Sequence, residues 1–158
     1  MEYLDIVDDK DNVVGKTTID QIYEKNLIHR IVHILIFNDN GEMALQLRSK
    51  HKKFCPHHWS TAVGGHVQSG ETYEQAAHRE CLEELGKENL IIDKVAKHRY
   101  KNKFVVTFKA TYNGPFTINQ EEVDEVRFFA IPKIKELIKN HEKFHPELAF
   151  LIEQLYRH

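Results

Sequence analysis

Two short β-rich runs, Tyr3–Val7 and Val13–Thr18, flank the polar stretch Asp8-Asp9-Lys10-Asp11-Asn12, so the chain is expected to open with a hairpin. Residues 19–25 have room for one short helix. The most β-rich run follows at 30–37 (Arg30-Ile31-Val32-His33-Ile34-Leu35-Ile36-Phe37), turns at Asn38-Asp39-Asn40-Gly41 and returns through 42–48, which predicts a second hairpin. Residues 60–63, 90–97, 103–112 and 126–129 read as further strands. Residues 134–141, with Pro132 near their start, and 147–157 read as helices. Strands, a helix, strands again and then helices, with no repeat and no low-complexity segment, suggest a mixed sheet between helices.

The central helix is the best defined. Thr72 followed three residues later by Gln75 forms a capping box, and Gly86 suits the C′ position, so residues 73–85 are expected to be helical. At 3.6 residues per turn Ala77, Cys81 and Leu85 make an apolar stripe with Leu82 on its flank. Glu80, Glu83 and Glu84 fall together on the adjacent arc. Two carboxylates about 4 Å apart repel by roughly 4 kcal/mol at an effective dielectric near 20, so three at the edge of an apolar stripe call for a counter-cation. An all-oxygen set favours Mg²⁺ or Mn²⁺ over zinc. Arg79 can reach Glu83 at i+4, and Gly64-Gly65 lets backbone come close enough to offer a carbonyl to the metal.

Composition narrows the classes. At 158 residues with 41% hydrophobic residues the chain has the size of one domain spanning 1–158. A net charge of −2 gives no electrostatic footprint for a nucleic-acid polymer or an anionic membrane, while a small nucleotide could still be bound locally. The start, Met1-Glu2-Tyr3-Leu4-Asp5, lacks a signal-peptide apolar stretch, and the apolar run near 31–37 is too short to span a bilayer. Cys55 and Cys81 form neither a metal motif nor a disulfide framework. These features predict a cytoplasmic protein. A homodimer is left open.

Gly65, five residues, Glu71, seven residues, Arg79-Glu80, Cys81, Leu82, Glu83-Glu84, Leu85 and Gly86 together resemble the Nudix box, here about residues 65–87. Every glycine and charged position matches; Cys81 and Lys87 stand where the family prefers aliphatics. The resemblance implies an α/β/α sandwich with a mixed central sheet and the box as a loop-helix-loop on its flank. It implies metal ligation by Gly65, Glu80, Glu83 and Glu84, orientation by Arg79, and metal-activated water cleaving a phosphoanhydride of a nucleoside diphosphate linked to another moiety. The general base would be Glu83 or a glutamate of the run Glu121-Glu122-Val123-Asp124-Glu125, for which Glu122 is favoured; a charge run of this kind is otherwise solvated surface.

Outside the box, segments such as Leu27-Ile28-His29-Arg30, Leu47-Arg48-Ser49-Lys50 and Val63-Gly64-Gly65-His66 are similar to type I isopentenyl diphosphate isomerases, from about residue 5 to about residue 130. His29 and His66 stand at matching positions. The isomerase cysteine is Gly64 here, however, and its glutamate segment aligns with Lys101-Asn102-Lys103, where cations suit a bound phosphate better than a proton transfer at carbon. The chain therefore looks like an isomerase-like Nudix hydrolase; an isomerase and a catalytically silent Nudix sensor are the alternatives.

The remaining candidates have two readings each. His66 positions a phosphate or water, or simply packs. Arg48, Lys50, Lys52 and Lys53 meet substrate phosphates, or form an exposed basic turn. His29 and His33, alternating with apolar residues, read as packed histidines rather than ligands.

Overall fold

The computed structural model describes residues 2 to 157. β1 (Tyr3–Val7) and β2 (Val13–Thr18) form the expected antiparallel hairpin. The short helix α1 (Ile19–Glu24) follows, its first turn capped by the Thr18 side chain accepting from Gln21 N. The main sheet is built around β3 (His29–Phe37), which runs parallel to β8 (Lys103–Thr111) over its whole length. β7 (Asp93–Tyr100) closes that edge, antiparallel to β8.

On its other side β3 pairs with β6 (Val63–His66), while its hairpin partner β4 (Met43–Arg48) touches it in register only at Phe37 and Met43. β4 instead pairs with β5 (Trp59–Thr61) and β9 (Val123–Phe129). The sheet therefore forks. β3–β6 and β4–β5 diverge from one shared end, and Gln46 on β4 reaches across the gap to the Ala62 carbonyl at 3.2 Å.

Alternate side chains of β3 serve opposite faces, as the pleat requires. Val32, Ile34 and Ile36 pack with Ala76, Ala77, Cys81 and Leu85 of α2 (Tyr73–Leu85). Leu35 packs with Ile134 of α3 (Ile131–Lys139) and with Leu148 and Ile152 of α4 (Pro146–Leu155), and Ile31 packs with Leu151 of α4. A strand covered on both faces explains why 31–36 is almost continuously apolar rather than alternating.

Several expected boundaries move, each for a tertiary reason. Residues 90–92 are loop, entered through the left-handed Asn89 (φ 55°), and Leu90 drops into the core from there while Ile91 is exposed. β9 starts at Val123 rather than 126 because it finds Arg48 of β4 as partner. Residues 60–63 split between β5 and β6 at Ala62. α3 starts at Ile131, with Pro132 in the first turn, where a missing N–H costs nothing. Leu82 lies on the solvent side of α2, not on the flank of the packed stripe.

One carboxylate ties the opening hairpin to the sheet and to α2. Asp11 accepts from Arg30 Nε at 2.7 Å, Lys97 Nζ at 2.5 Å and the Tyr73 hydroxyl at 2.7 Å. Burial alone would raise its pKa, but the bonds from Lys97, Arg30 and Tyr73 hold it below the usual value. Removing this acceptor leaves the three donors without it. Asp11→Ala is expected to lower the unfolding free energy by about 3 kcal/mol in urea denaturation at neutral pH; a loss no larger than that of an ordinary surface substitution would show that the hairpin docks by other means.

Candidate active site

α2 begins and ends as its sequence requires. Thr72 accepts from Gln75 N while the Gln75 side chain accepts from Thr72 N, and Gly86 closes the helix in the left-handed conformation, φ 66°. These limits set the phase of the helix, and its phase places Arg79, Glu80, Glu83 and Glu84 beside the fork of the sheet.

Arg79 organises the group. Its Nε donates to Glu71 Oε2 at 2.7 Å and its Nη2 to Glu71 Oε1 at 3.0 Å, a bidentate pairing across the loop. Nη2 also donates to the His66 carbonyl at 2.9 Å, and Nη1 to Glu80 at 2.7 Å and Glu83 at 3.2 Å. The i+4 contact with Glu83 is as expected; the contacts with Glu71, Glu80 and the loop backbone go beyond it.

The three glutamates do not stand alike. Glu84 is buried, accepting from Gln46 Nε2 at 3.2 Å and from Gly64 N at 3.0 Å. Glu80 is largely covered, and Glu83 is half exposed. Among the described residues no three acidic, histidine or cysteine side chains are gathered closely enough to hold an ion as they stand. The convergence expected from the helical arc is thus incomplete, because Arg79 is itself the resident cation and draws Glu80 and Glu83 toward it.

Two observations nevertheless fit a further cation. A side chain on Gly65 would meet the Glu80 carboxyl at 2.4 Å, so the carboxyl sits where it does only because residue 65 is a glycine. Burial, above all, pushes the Glu80 carboxyl up to about 7 despite Arg79, and burial together with the Glu80 charge pushes Glu84 up to about 8. These are carboxyls short of positive charge.

A cavity of about 480 Å³ opens beside them in the fork. Gly65, Glu80, Glu83 and Glu84 line it, as do Arg79, His66, Arg48, Lys103 and Glu122. Glu122 sits at the rim, 3.6 Å from Lys52, and its backbone carbonyl accepts from Ser49 N. Arg48 Nε donates to the Phe54 carbonyl at 3.0 Å. His66 Nε2 is 2.7 Å from the Tyr23 hydroxyl, and burial first, then the nearby His29 and Lys103, lowers its pKa to about 4, so the ring is neutral.

Lys101 is a correction. It occupies the left-handed turn between β7 and β8 (φ 52°), its ammonium lies over the Tyr100 ring, and it does not line the cavity. In a two-residue turn neighbouring side chains diverge, so Lys103, the first residue of β8, enters the cavity while Lys101 does not.

Sequence reasoning missed Glu147, His145, Gln46 and Tyr23, which also line the cavity. Glu147, from α4, accepts from His33 Nε2 at 2.9 Å and Lys103 Nζ at 2.5 Å. His33 is packed, as expected, but as part of this buried cluster. No spacing in the chain joins residues 33, 103 and 147; an acidic residue two places after the cap of an apolar helix was the available signal.

Gly64 carries a negative finding. A side chain there would meet the His33 ring at 3.0 Å and the Thr61 hydroxyl at 3.6 Å. At the position where the isomerases carry a cysteine, a side chain would fit only if the His33 ring gave by a few tenths of an ångström.

Residues 27–150 match the model of the NUDIX domain. The chain is 32% identical over 130 residues to a Nudix hydrolase of Yersinia pestis, covering 80% of this chain and 71% of that one. It is 30% identical over 148 residues to isopentenyl-diphosphate Delta-isomerase 2 of Photorhabdus laumondii, covering 88% and 83%. The crystal structure of DR0079 from Deinococcus radiodurans superposes with a TM-score of 0.90 at 28% identity, over 99% of this chain and 100% of that one.

The raised carboxyls make stability depend on pH with a definite sign. A folded pKa above the unfolded value stabilises the protein fully below about 4.5, and that contribution is lost as pH rises through about 7 for Glu80 and about 8 for Glu84. In chelator the melting temperature should fall between about pH 5 and pH 8 and level off above, where these groups are ionised in the folded protein as well. Glu84→Gln should make that slope shallower, whatever it does to the melting temperature at one pH. Equal slopes in the two proteins, measured by calorimetry, would remove Glu84 from the set of strained carboxyls.

Proposed function

The chain belongs to the NUDIX domain family and is a hydrolase of pyrophosphate bonds, and we propose that its substrate is a nucleoside diphosphate linked to another group, cleaved with Mg²⁺ or Mn²⁺. The observation that carries this reading is the buried, charge-deficient pair Glu80 and Glu84 facing a cavity beside Gly65, whose missing side chain leaves Glu80 its place. Glu80, Glu83, Glu84 and the Gly65 carbonyl would hold the metal. When bound, the metal lowers the pKa of an attacking water and draws charge from the bridging oxygen of the diphosphate.

The residues of the chain divide the rest of the work. Arg79 keeps Glu71 and the His66 carbonyl in place, so the loop stays on α2 if Glu80 turns away from the guanidinium toward a metal. Glu84 is held by Gln46 and Gly64 N, which fixes one oxygen anchor in the wall. Glu122 or Glu83 takes the proton from water; Glu122 has the rim position and Lys52 as its neighbour. Arg48, with its Nη groups beyond the bond to Phe54, and the neutral His66 orient the diphosphate.

Two results test this. Glu84→Gln should lower turnover at least ~10²-fold with the fold retained, the loss of a few kcal/mol of transition-state stabilisation; near-normal turnover in Glu80→Gln and Glu84→Gln would overturn the metal assignment. Hydrolysis in ¹⁸O-water should leave the label on a phosphate-bearing product, read by mass spectrometry over a panel of nucleotide sugars, dinucleotide polyphosphates, nucleoside di- and triphosphates and coenzyme A. Label on carbon would indicate another reaction.

The similarity to an isomerase supports a second reading, in which the chain moves a double bond. That reaction needs one group to protonate carbon and another to deprotonate it. Gly64 has no side chain, and its neighbours leave little room for one. No deuterium is expected to enter isopentenyl diphosphate from D₂O with Mg²⁺ at high enzyme concentration; exchange into the dimethylallyl product, with no nucleotide hydrolysed, would reverse the order of the two readings.

A further inference from the structure

The cavity has two chemically opposite walls, contributed by opposite faces of the sheet. The carboxylates come from α2. The other wall comes from the start of β8 and the N-terminus of α4, and each oxygen of its carboxylate already takes a donor. Both oxygens of Glu147 take donors, His33 Nε2 at 2.9 Å and Lys103 Nζ at 2.5 Å, and His145 Nδ1 accepts from Glu147 N at 3.1 Å. That last bond leaves the His145 proton on Nε2, because burial holds the ring neutral, its pKa lowered to about 4.

What this wall can still offer is donors. Lys103 has three N–H groups, of which Glu147 takes one and the Tyr23 hydroxyl lies beside another. His145, the N-cap of α4, has its Nε2–H. Glu147, with its charge committed to His33 and Lys103, sets where the ammonium sits.

We propose that Lys103 and His145 form a subsite for a phosphate monoester carried by either of the two groups that the diphosphate joins, one anionic group beyond the diphosphate itself, with Glu147 as the positioning residue for Lys103. This rests on the hydrolase reading for its place in the substrate, not for its chemistry: a wall whose carboxylate is already paired and whose lysine and histidine keep free N–H groups is complementary to a phosphate whether or not the bond is cut. The diphosphate and its metal then occupy the α2 side of the fork, and the phosphorylated end of the leaving or retained group reaches through to the α4 side.

The test uses inorganic phosphate as the probe, titrated calorimetrically into the full chain at constant ionic strength, in chelator so that no metal carries the anion. Lys103→Met should weaken phosphate binding at least about tenfold, the loss of one charge-assisted contact. Glu147→Gln, which keeps an oxygen to position the Lys103 ammonium but removes the charge that competes for it, should strengthen binding several-fold. A merely structural cluster would weaken in both variants, and thermal unfolding of each checks that it is folded. Unchanged binding in Lys103→Met, or weaker binding in Glu147→Gln, would overturn the subsite. A second arm compares hydrolysis by the Mg²⁺-loaded enzyme of pairs that differ by one phosphomonoester, coenzyme A against dephospho-coenzyme A and NADPH against NADH. The phosphorylated member should be favoured in kcat/KM, and Lys103→Met should remove the preference. A preference for the unphosphorylated members would overturn the proposal; phosphate binding with no hydrolysis of any panel member would sink the hydrolase substrate reading and leave the subsite standing.

Discussion

The guanidinium of Arg79 is the constraint on which the site depends. It is the one group that touches the loop before the helix, through Glu71 and the His66 carbonyl, and the carboxylates on the helix, through Glu80 and Glu83. A lysine could not replace it, since the paired contacts to Glu71 need a rigid fork of donors. With this group in place, the Gly64-Gly65 backbone lies against α2 closely enough for Gly64 N to reach Glu84 and for Glu80 to occupy the space a side chain on residue 65 would fill. The carboxyls are thereby removed from water before any metal is present, and that removal raises their pKa values. In the proposed reading, a cation would offset that cost by favouring the ionised carboxylates.

The fork in the sheet gives those carboxyls a cavity to face. Were β3 and β4 paired along their length, as a plain hairpin would be, backbone would fill the gap and the two faces of the sheet would be separate. They meet only at Phe37 and Met43, and β5 and β6 take the remaining pairings. Gln46, Ser60 and Gly64 then line an opening between the layers. Side chains from α2 and from α4, which belong to different cores, reach one cavity.

This geometry explains what was legible in the sequence. α2 was readable in full because everything that defines it is local: a capping box, a glycine stop and a 3.6-residue charge arc lie within fifteen residues of one another. The first hairpin and β3 were likewise written in local pattern. The fork was not, because register depends on partners far along the chain; the sequence of 30–48 reads as a simple hairpin, and only the competition from β5 and β6 opens it. The second wall was invisible for the same reason. Lys103 could be named as a candidate from its alignment, but its neighbour Lys101 carried the same signal, and only the turn geometry separates them. Glu147 lies 44 residues from Lys103 and 114 from His33, and the three meet through β3–β8 pairing and the docking of α4.

The likeness to an isomerase shows how little backbone is needed to change chemistry. The frame around Leu27-Ile28-His29-Arg30 and Val63-Gly64-Gly65-His66 is shared in sequence, yet a side chain on residue 64 would press on His33 at 3.0 Å. His33 cannot easily yield, because its two ring nitrogens are bonded to Thr61 and Glu147 and the ring is buried. The cluster on the α4 wall thus does two things at once. It holds Lys103 toward the cavity, and through His33 it crowds position 64, whose backbone N–H bonds Glu84 on the opposite wall. The charge-deficient carboxyls and the donor wall are coupled through one glycine between them.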